Sequence, residues 1–258
     1  MHSSSSAALV LVGLLIAGAA HATESESATS ASEARALSLL KKSADYLSQA
    51  KAFRVRAELS FDVVQEDGEK IEFGATRMMT VRRPDHAYVE GRRRDGERAN
   101  LYIDAQTVTL LDLDENVFAT AKVPGNLDAT MDYLVDQIGV PAPLSDLVYS
   151  NLYSVLREQI ESGTYIGEST LAGVRCHHLA FRRTDLDWQI WVEDGERPLM
   201  RRIVITYKTS EEGPQFRARL FDWDLAPEVL DSLFAFTPPA GAQQVPFVAR
   251  TKLEEGRR

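Results

Sequence analysis

The chain of 258 residues carries 29 Lys and Arg against 38 Asp and Glu, a formal net charge of −9 at pH 7. An acidic surface repels phosphates, so the composition argues against nucleic acid as a partner. The single cysteine, Cys176, excludes an intramolecular disulfide framework, and the fold must depend on its hydrophobic core.

Residues 1–22 are typical of a secretory signal peptide. Ala7 to Ala20 are small or apolar, a run too short for a comfortable membrane span. Ala20-His21-Ala22 then provides a small-x-small cleavage site. We predict cleavage near Ala22 and export to the periplasm; the alternative is an uncleaved membrane anchor.

The rest of the chain divides into a linker, one domain and a tail. Residues 23–32 are rich in Ser, Ala, Thr and Glu without periodicity, which predicts a flexible linker. Ser30 and Glu33 have capping-box spacing and are expected to open a helix with Leu37, Leu40 and Leu47 on one stripe. Residues 33–250 are expected to form a single domain, and residues 251–258 a charged tail.

A strict alternation begins at Phe53. Phe53, Val55, Leu59 and Phe61 share one apolar phase, and polar side chains stand between them. Because strand side chains point to opposite faces with period two, one face is dry and the other wet. Similar segments predict an antiparallel sheet with further strands near 71–75, 85–93, 99–104, 107–112, 116–122, 163–170, 173–182, 186–193, 200–208 and 215–225.

Two helices are predicted between the two runs of strands. Asn126 is a good N-cap for the first, which Gly139 and Pro141 would end. Ser145 can cap the second, to about Ile160, and its broad apolar set indicates burial on more than one side. In the strand at 215–225 the apolar phase changes, which predicts a bulge, and a short helix is expected near 227–233.

Motifs that carry catalytic chemistry are mostly absent. The chain has no G-x-S-x-G, P-loop or G-x-G-x-x-G pattern. Cys176 and His178 would share one face of a strand and His177 the other, which is a poor match to the spaced ligand pairs of zinc sites. We predict no catalytic residue, no metal and no cofactor, so the protein is expected not to be an enzyme.

Several segments in order resemble a known group of proteins. They are Val81-Arg82-Arg83-Pro84, Leu101-Tyr102-Ile103-Asp104, Trp191-Val192-Glu193-Asp194 and Phe234-Ala235-Phe236-Thr237-Pro238-Pro239. They are similar to the periplasmic lipoprotein-carrier-like superfamily, the LolA, LolB, LppX and RseB type. Within it, the chain most resembles a family of predicted periplasmic proteins of unknown function.

The resemblance implies an α+β, mainly β fold. It is an unclosed, strongly curved antiparallel half-barrel whose apolar cavity is covered by an N-terminal helix and mid-chain lid helices. In the carriers an arginine of the R-P motif bonds to the lid backbone and holds the lid closed. The matching position here is Arg83, so the resemblance implies a lid latch at Arg83.

A cavity of this kind predicts a non-catalytic protein that binds a lipid or a lipid-modified polypeptide. Its expected partners are acyl chains, an envelope protein and the membrane in transient contact. The alternative is an interaction or envelope-stress-sensing module whose cavity is filled by side chains. The expected lining residues are Phe53, Val55, Leu59, Phe61, Ile71, Phe73, Leu152, Tyr153, Leu156 and Trp188.

Overall fold

A computed structural model describes residues 17–138, 144–208 and 211–247. Its three helices are α1 (Ala17–Ser48), α2 (Leu127–Ile138) and α3 (Leu152–Arg157). The strands are β1 (Ala52–Val64), β2 (Lys70–Arg82), β3 (His86–Arg93), β4 (Arg98–Ile103), β5 (Thr107–Asp112), β6 (Val117–Lys122), β7 (Ser162–Leu171), β8 (Val174–Arg182), β9 (Leu186–Glu193), β10 (Met200–Tyr207), β11 (Gln215–Asp224) and β12 (Gln243–Gln244).

All twelve strands belong to one sheet, in the order β12-β6-β5-β4-β3-β2-β1-β11-β10-β9-β8-β7. Every pair is antiparallel except β12 with β6, which is parallel. In the described residues β12 and β7 are the two edges, so the sheet does not close on itself. The fold is therefore the mainly β, unclosed half-barrel that the sequence predicts.

The alternation in β1 confirms the predicted wet and dry faces. Phe53, Val55 and Ala57 are fully buried, whereas Arg56 and Glu58 are exposed. We call the face that carries Phe53 the inner face and the opposite one the outer face. The hairpin after β1 turns at Gly68, which adopts φ +86°, as the Asp-Gly pair predicts.

The predicted bulge in the last long strand is present. The register between β1 and β11 shifts between Arg54 and Arg56, and Asp222 opposite them has φ +53°. Before the shift Leu220 faces inward, and after it Trp223 is buried. Because the bulge adds one residue, apolar side chains from both alternating phases of this strand can be buried.

Helix α1 is longer than the sequence predicts. It already spans Ala17, so the expectation that Ser30 and Glu33 open the helix is wrong. No Gly or Pro occurs from residue 19 to Ser48, and nothing local stops the helix there. Residues 23–32 are thus helical rather than irregular, while their expected flexibility and the cleavage near Ala22 stay predictions.

The buried stripe of α1 packs against β7 and α3. Ala36, Leu40, Ala44 and Leu47 are buried in the same core cluster as the inner-face side chains of β1. Leu37 is only half-buried at the edge of this stripe. In the described residues, no helix combines the length and the apolar character needed to span a membrane.

Helix α2 begins as predicted. The Asn126 Oδ1 atom accepts from the Ala129 N–H at 2.8 Å, which satisfies one of the free donors of the first turn. Leu127 and Met131 are buried in the core. The expected stop at Gly139 and Pro141 and the charged tail 251–258 lie outside the described residues, as do residues 1–16 of the expected signal.

The second mid-chain helix is not continuous, so the prediction of one helix from Ser145 to Ile160 is wrong. A 3₁₀ turn, Ser145–Val148, is followed by extended Tyr149 and then by α3. We call residues 144–157 the lid segment. Its apolar residues Leu147, Val148 and Leu152 are buried in the core.

The C-terminal segment covers part of the outer face. The helix predicted at 227–233 is reduced to a 3₁₀ turn, Asp231–Leu233. Phe234 is fully buried, with its ring centroid 5.2 Å from that of His86. The Phe236 ring packs on Tyr102 and Phe118 at 5.3 and 5.0 Å between centroids. These tertiary contacts, more than local helix propensity, determine the path of this segment.

Candidate functional site

Arg83 joins the end of β2 to the lid segment. It follows the inner-face residue Val81 by two positions, and its guanidinium lies 5.8 Å from the centre of the Phe53 ring. Its Nη1 donates to the carbonyl oxygen of Val148, and its Nη2 donates to that of Leu147 at 3.3 Å. Burial lowers the pKa of Arg83, and the nearby Asp128 carboxylate partly opposes that shift.

The same two hydrogen bonds engage the carbonyls at the point where the lid helix is interrupted. In a continuous α-helix the carbonyls of Leu147 and Val148 would accept from the N–H groups four residues later. Here the Arg83 side chain uses both carbonyls. The chain at Tyr149 is extended instead, and the helix restarts at Leu152.

Carboxylates of α2 hold the other side of the break. Asp128 accepts from the backbone N–H of Ser150 at 2.8 Å and from its hydroxyl at 2.5 Å. Asp132 accepts from the Tyr149 hydroxyl at 2.8 Å. Burial and the Asp132 carboxylate raise the pKa of Tyr149, which stays protonated at physiological pH. The lid is therefore fastened by polar bonds at its backbone, while its apolar side chains face the core.

A small cavity of about 80 Å³ remains between the lid segment and the inner face of β9 and β10. Ligand pockets for small molecules usually measure about 300–1,000 Å³, so the closed cavity is too small for an acyl chain. Its lining is mostly apolar and consists of Asp146, Leu147, Val155, Leu156, Arg183, Leu186, Trp188, Ile190, Met200, Ile203 and Ile205.

The ten predicted lining residues fall into separate places. Two of them, Leu156 and Trp188, line this cavity. Five lie in the closed core or at the edge of the lid: Phe53, Val55, Leu59 and Leu152 are buried, and Tyr153 lies under the Lys41 ammonium at 5.2 Å. Three more, Phe61, Ile71 and Phe73, lie near the hairpin end of β1 and β2, beyond the helices.

Beneath the closed lid there is thus no open cavity lined by all ten predicted side chains in the part of the chain that the structure describes. Side chains of the lid and of the inner face fill most of that space themselves. A ligand role for these residues stays a prediction, and for those beneath the lid it requires the lid to move.

Asp146 is a polar member of the cavity wall that the sequence did not single out. Burial raises the pKa of this carboxyl, and the Arg183 guanidinium partly opposes that shift. Nothing in the sequence marked Asp146 as unusual, because it stands in the first turn of a predicted helix, where acidic residues are common. A carboxyl in an apolar wall marks the one polar edge of this cavity.

The Cys176-His177-His178 segment is held by ordinary contacts. His177 lies between the Tyr165 hydroxyl and Asp194, each at 3.2 Å, and His178 Nε2 lies 2.9 Å from Gln189. Burial raises the pKa of the Cys176 thiol to about 11. Within the described ranges, no group of three His, Cys, Asp or Glu is placed to hold a metal ion.

Comparison with known proteins gives a family and several similar folds. The sequence profile of the family described as "predicted periplasmic protein (DUF2092)" matches residues 36–248. No curated protein matches the chain.

Three solved structures illustrate the similarity in fold. The lipoprotein LppX of Mycobacterium tuberculosis aligns with a TM-score of 0.47 and 12% identity, over 78% of this chain and 100% of that one. MucB of Pseudomonas aeruginosa, solved in complex with MucA, aligns with a TM-score of 0.42 and 15% identity, over 78% of this chain and 61% of that one. A LolA superfamily protein of Nitrosomonas europaea aligns with a TM-score of 0.36 and 10% identity, over 78% of this chain and 97% of that one.

Proposed function

The chain belongs to the DUF2092 family of predicted periplasmic proteins, and we propose that it binds an acyl chain of a lipid or of a lipid-modified polypeptide beneath its lid. The protein is periplasmic. In this proposal it performs no catalysis: it takes up an apolar chain and releases it to a membrane or to a partner.

The observation that carries this proposal is the way the lid is attached. Apolar residues of the lid segment cover an apolar inner face, yet the bonds that hold the backbone there come from Arg83 and Asp128. Water can replace these bonds at a modest net free energy, about 1.5–3 kcal/mol for a hydrogen bond to a charged group. Such a lid separates from the sheet when another apolar group replaces its side chains.

The energies involved suit reversible binding. An acyl chain of about fourteen methylenes gains roughly 11 kcal/mol on burial, at about 0.8 kcal/mol for each methylene. Association costs of about 4–15 kcal/mol offset much of that gain. A bilayer buries the same chain comparably well, so transfer runs in both directions.

Two measurements test the proposal on the full exported protein. Native mass spectrometry of protein purified from the envelope is expected to show a bound lipid. A fluorescent acyl probe is expected to enter the Arg83→Gln variant faster than wild type, by about tenfold, because hydrogen bonds from a charged donor contribute about 1.5–3 kcal/mol. Hydrogen exchange at residues 144–157 should accelerate in parallel.

Arg82 provides the matched control. It neighbours Arg83 but points to the outer face, where its Nη1 donates to Asp231 at 2.6 Å. Arg82→Gln therefore removes the same charge without touching the lid, and its rate of probe uptake should equal that of wild type. Protein that is always empty, together with no probe uptake by wild type or by Arg83→Gln, contradicts acyl binding.

A second candidate is supported by the small size of the cavity. With about 80 Å³ left under the lid, the shell also suits an interaction or envelope-stress-sensing module with a filled interior. This candidate expects no bound lipid and no probe uptake, and it expects a protein partner to co-purify from the envelope. The two measurements above therefore separate the candidates.

A further inference from the structure

Strand β2 carries one charged residue in its apolar phase. Ala75, Met79 and Val81 face inward, and Arg77 stands in phase with them. Its cross-strand neighbours are Ala57 on β1 and Gly91 on β3. Arg77 is therefore on the inner face, between two residues that are too small to cover it.

The helices cover only one half of the inner face on this side of the sheet. Along β2 the exposed fraction rises from 0% at Val81 to 5% at Met79, and Arg77 is exposed. On β4 and β5 it rises from 2% at Ile103 to 44% at Leu110. We call the inner face from Arg77 to the hairpin end of β1 and β2, with Leu110, the open half. Arg77, Ile71 and Leu110 reach water there, whereas Leu59 and Ala75 are only 3% and 8% exposed.

The open half remains apolar although water reaches it. Ile71 is 40% exposed, and the rings of Phe61 and Phe73 stack with centroids 6.1 Å apart. Exposed apolar side chains that share one concave surface mark a binding surface more often than isolated ones do.

Among the described residues, Arg77 has no hydrogen bond and no ion pair. Arg93, the other inward-facing arginine nearby, is paired with Asp95 and Glu97 at 3.0 and 2.9 Å. Asp112 lies at the same register position as Arg77, but three strands away across the sheet, a distance of roughly 14 Å. Its carboxylate already accepts hydrogen bonds from two turn N–H groups at 2.9 Å. No described residue thus neutralises the positive charge of Arg77, and the exposed guanidinium is accessible to a ligand.

We propose that Arg77 binds the anionic head group of an acyl lipid whose tail runs along the inner face of β2 towards the lid. A guanidinium forms two parallel hydrogen bonds with a carboxylate or a phosphate and loses less solvation than an ammonium. This inference rests on the proposed function and names the chemical class of its ligand.

The dimensions and the local environment agree with this assignment. From Arg77 to Arg83 the strand covers roughly 20 Å, slightly more than the roughly 15 Å that one lipid leaflet's acyl chains span. Arg77 and Arg83 would then mark the two ends of one acyl-binding path. Desolvation by the surrounding protein lowers the pKa of Arg77, although the side chain is exposed at the surface of the concavity.

The test compares two probes with the same tail. One is 11-(dansylamino)undecanoic acid, and the other is its uncharged methyl ester. For Arg77→Gln we expect the acid to bind about tenfold more weakly and the ester to bind within about twofold of wild type. Arg77→Lys keeps the charge and loses the bidentate geometry, so the acid should bind with intermediate affinity.

Arg92 provides a control on the opposite face. It is exposed and follows Gly91 directly, and its cross-strand partner is Thr76, the neighbour of Arg77. Arg92→Gln removes one positive charge from the same region of the sheet and should bind both probes like wild type. Far-UV circular dichroism of all variants confirms that they fold.

Competition distinguishes a lipid from a small anion. Dodecyl phosphate and laurate should displace the acid probe from wild type, whereas inorganic phosphate at the same concentration should not. Equal displacement by inorganic phosphate overturns the lipid assignment. If the acid binds Arg77→Gln as tightly as wild type, the inference on Arg77 is wrong and the proposed function stands. If neither probe binds any variant, both fail.

Discussion

At the scale of single residues, charged groups on the two faces of the sheet behave differently. On the outer face, charges are paired across strands, as Glu58 is with Arg219 at 3.0 Å. On the inner face, Arg83 donates from Nη1 and Nη2 to lid carbonyls, whereas Arg77 has no hydrogen bond or ion pair with a described residue. The face decides the role, because paired surface charges contribute little whereas an inward-facing charge requires a partner.

Asp62 is a paired outer-face carboxylate that is nearly buried, and it predicts a pH dependence. Its side chain is 8% exposed and accepts from Arg217 at 2.8 Å and from the Gln215 N–H at 2.9 Å. The hydrogen bond from Arg217 lowers the pKa of Asp62 below its usual value of 3.8, although burial partly opposes this. Its stabilising effect is complete above the unfolded-state pKa and is lost as pH falls through the folded-state pKa.

We therefore expect Asp62→Asn to lower the free energy of unfolding by about 1–2 kcal/mol at pH 7, measured by urea titration. The difference from wild type should shrink as pH falls below about 4. The exposed Glu58 on the same strand is the control, and Glu58→Gln should cost less than about 1 kcal/mol. An unchanged difference at low pH would assign the effect to packing.

At the scale of elements, the C-terminal segment closes the outer face as the lid closes the inner one. Beneath it, the outer-face residues Thr80, Tyr88 and Thr109 are buried, and the Thr109 and Thr120 hydroxyls share a hydrogen bond at 2.9 Å. The sheet near β3 to β5 is thus covered on its outer side and open on part of its inner side. That asymmetry leaves the inner face free for a ligand.

Phe234 is the anchor of this segment. Phe234→Ala should lower the free energy of unfolding by about 3–5 kcal/mol, because a fully buried aromatic ring is lost. Replacing the half-buried Phe236 by Ala should lower the free energy of unfolding by a smaller amount. Leu230, 78% exposed four residues earlier, is the control, and Leu230→Ala should change stability by no more than about 0.5 kcal/mol. Equal effects at positions 230 and 234 would mean that the segment does not anchor there.

At the scale of the whole molecule, two runs of strands are joined at the centre of one sheet. Strand β1 connects the β2–β6 run to the β7–β11 run by pairing with β11. Strands β1 and β11 are neighbours in the sheet although they are far apart in the sequence. The core cluster extends across this junction, from Val108 on one side to Leu179 on the other. Neither run has a core of its own that ends at the junction.

This continuity predicts a single cooperative unfolding transition. Trp188, Trp191 and Trp223 all lie in the second run, so fluorescence reports on that half, whereas far-UV circular dichroism reports on both. The two urea curves should coincide. Curves with midpoints clearly apart would show that the runs unfold as separate units and would contradict the single domain that the sequence predicts.

Local sequence patterns predicted eleven of the twelve strands, their two faces, the bulge in β11 and the N-cap at Asn126, because period-two burial and capping are local properties. They did not predict the two-residue strand β12. The sequence did not single out Arg77, although it interrupts the apolar phase of β2; only the structure shows that it lies exposed on the inner face. The break in the lid helix was visible only in the tertiary structure, where Arg83, more than sixty residues away, bonds to the two carbonyls at the break. The tertiary structure also decided how little space the lid leaves, because the fit of side chains from distant elements sets a cavity volume.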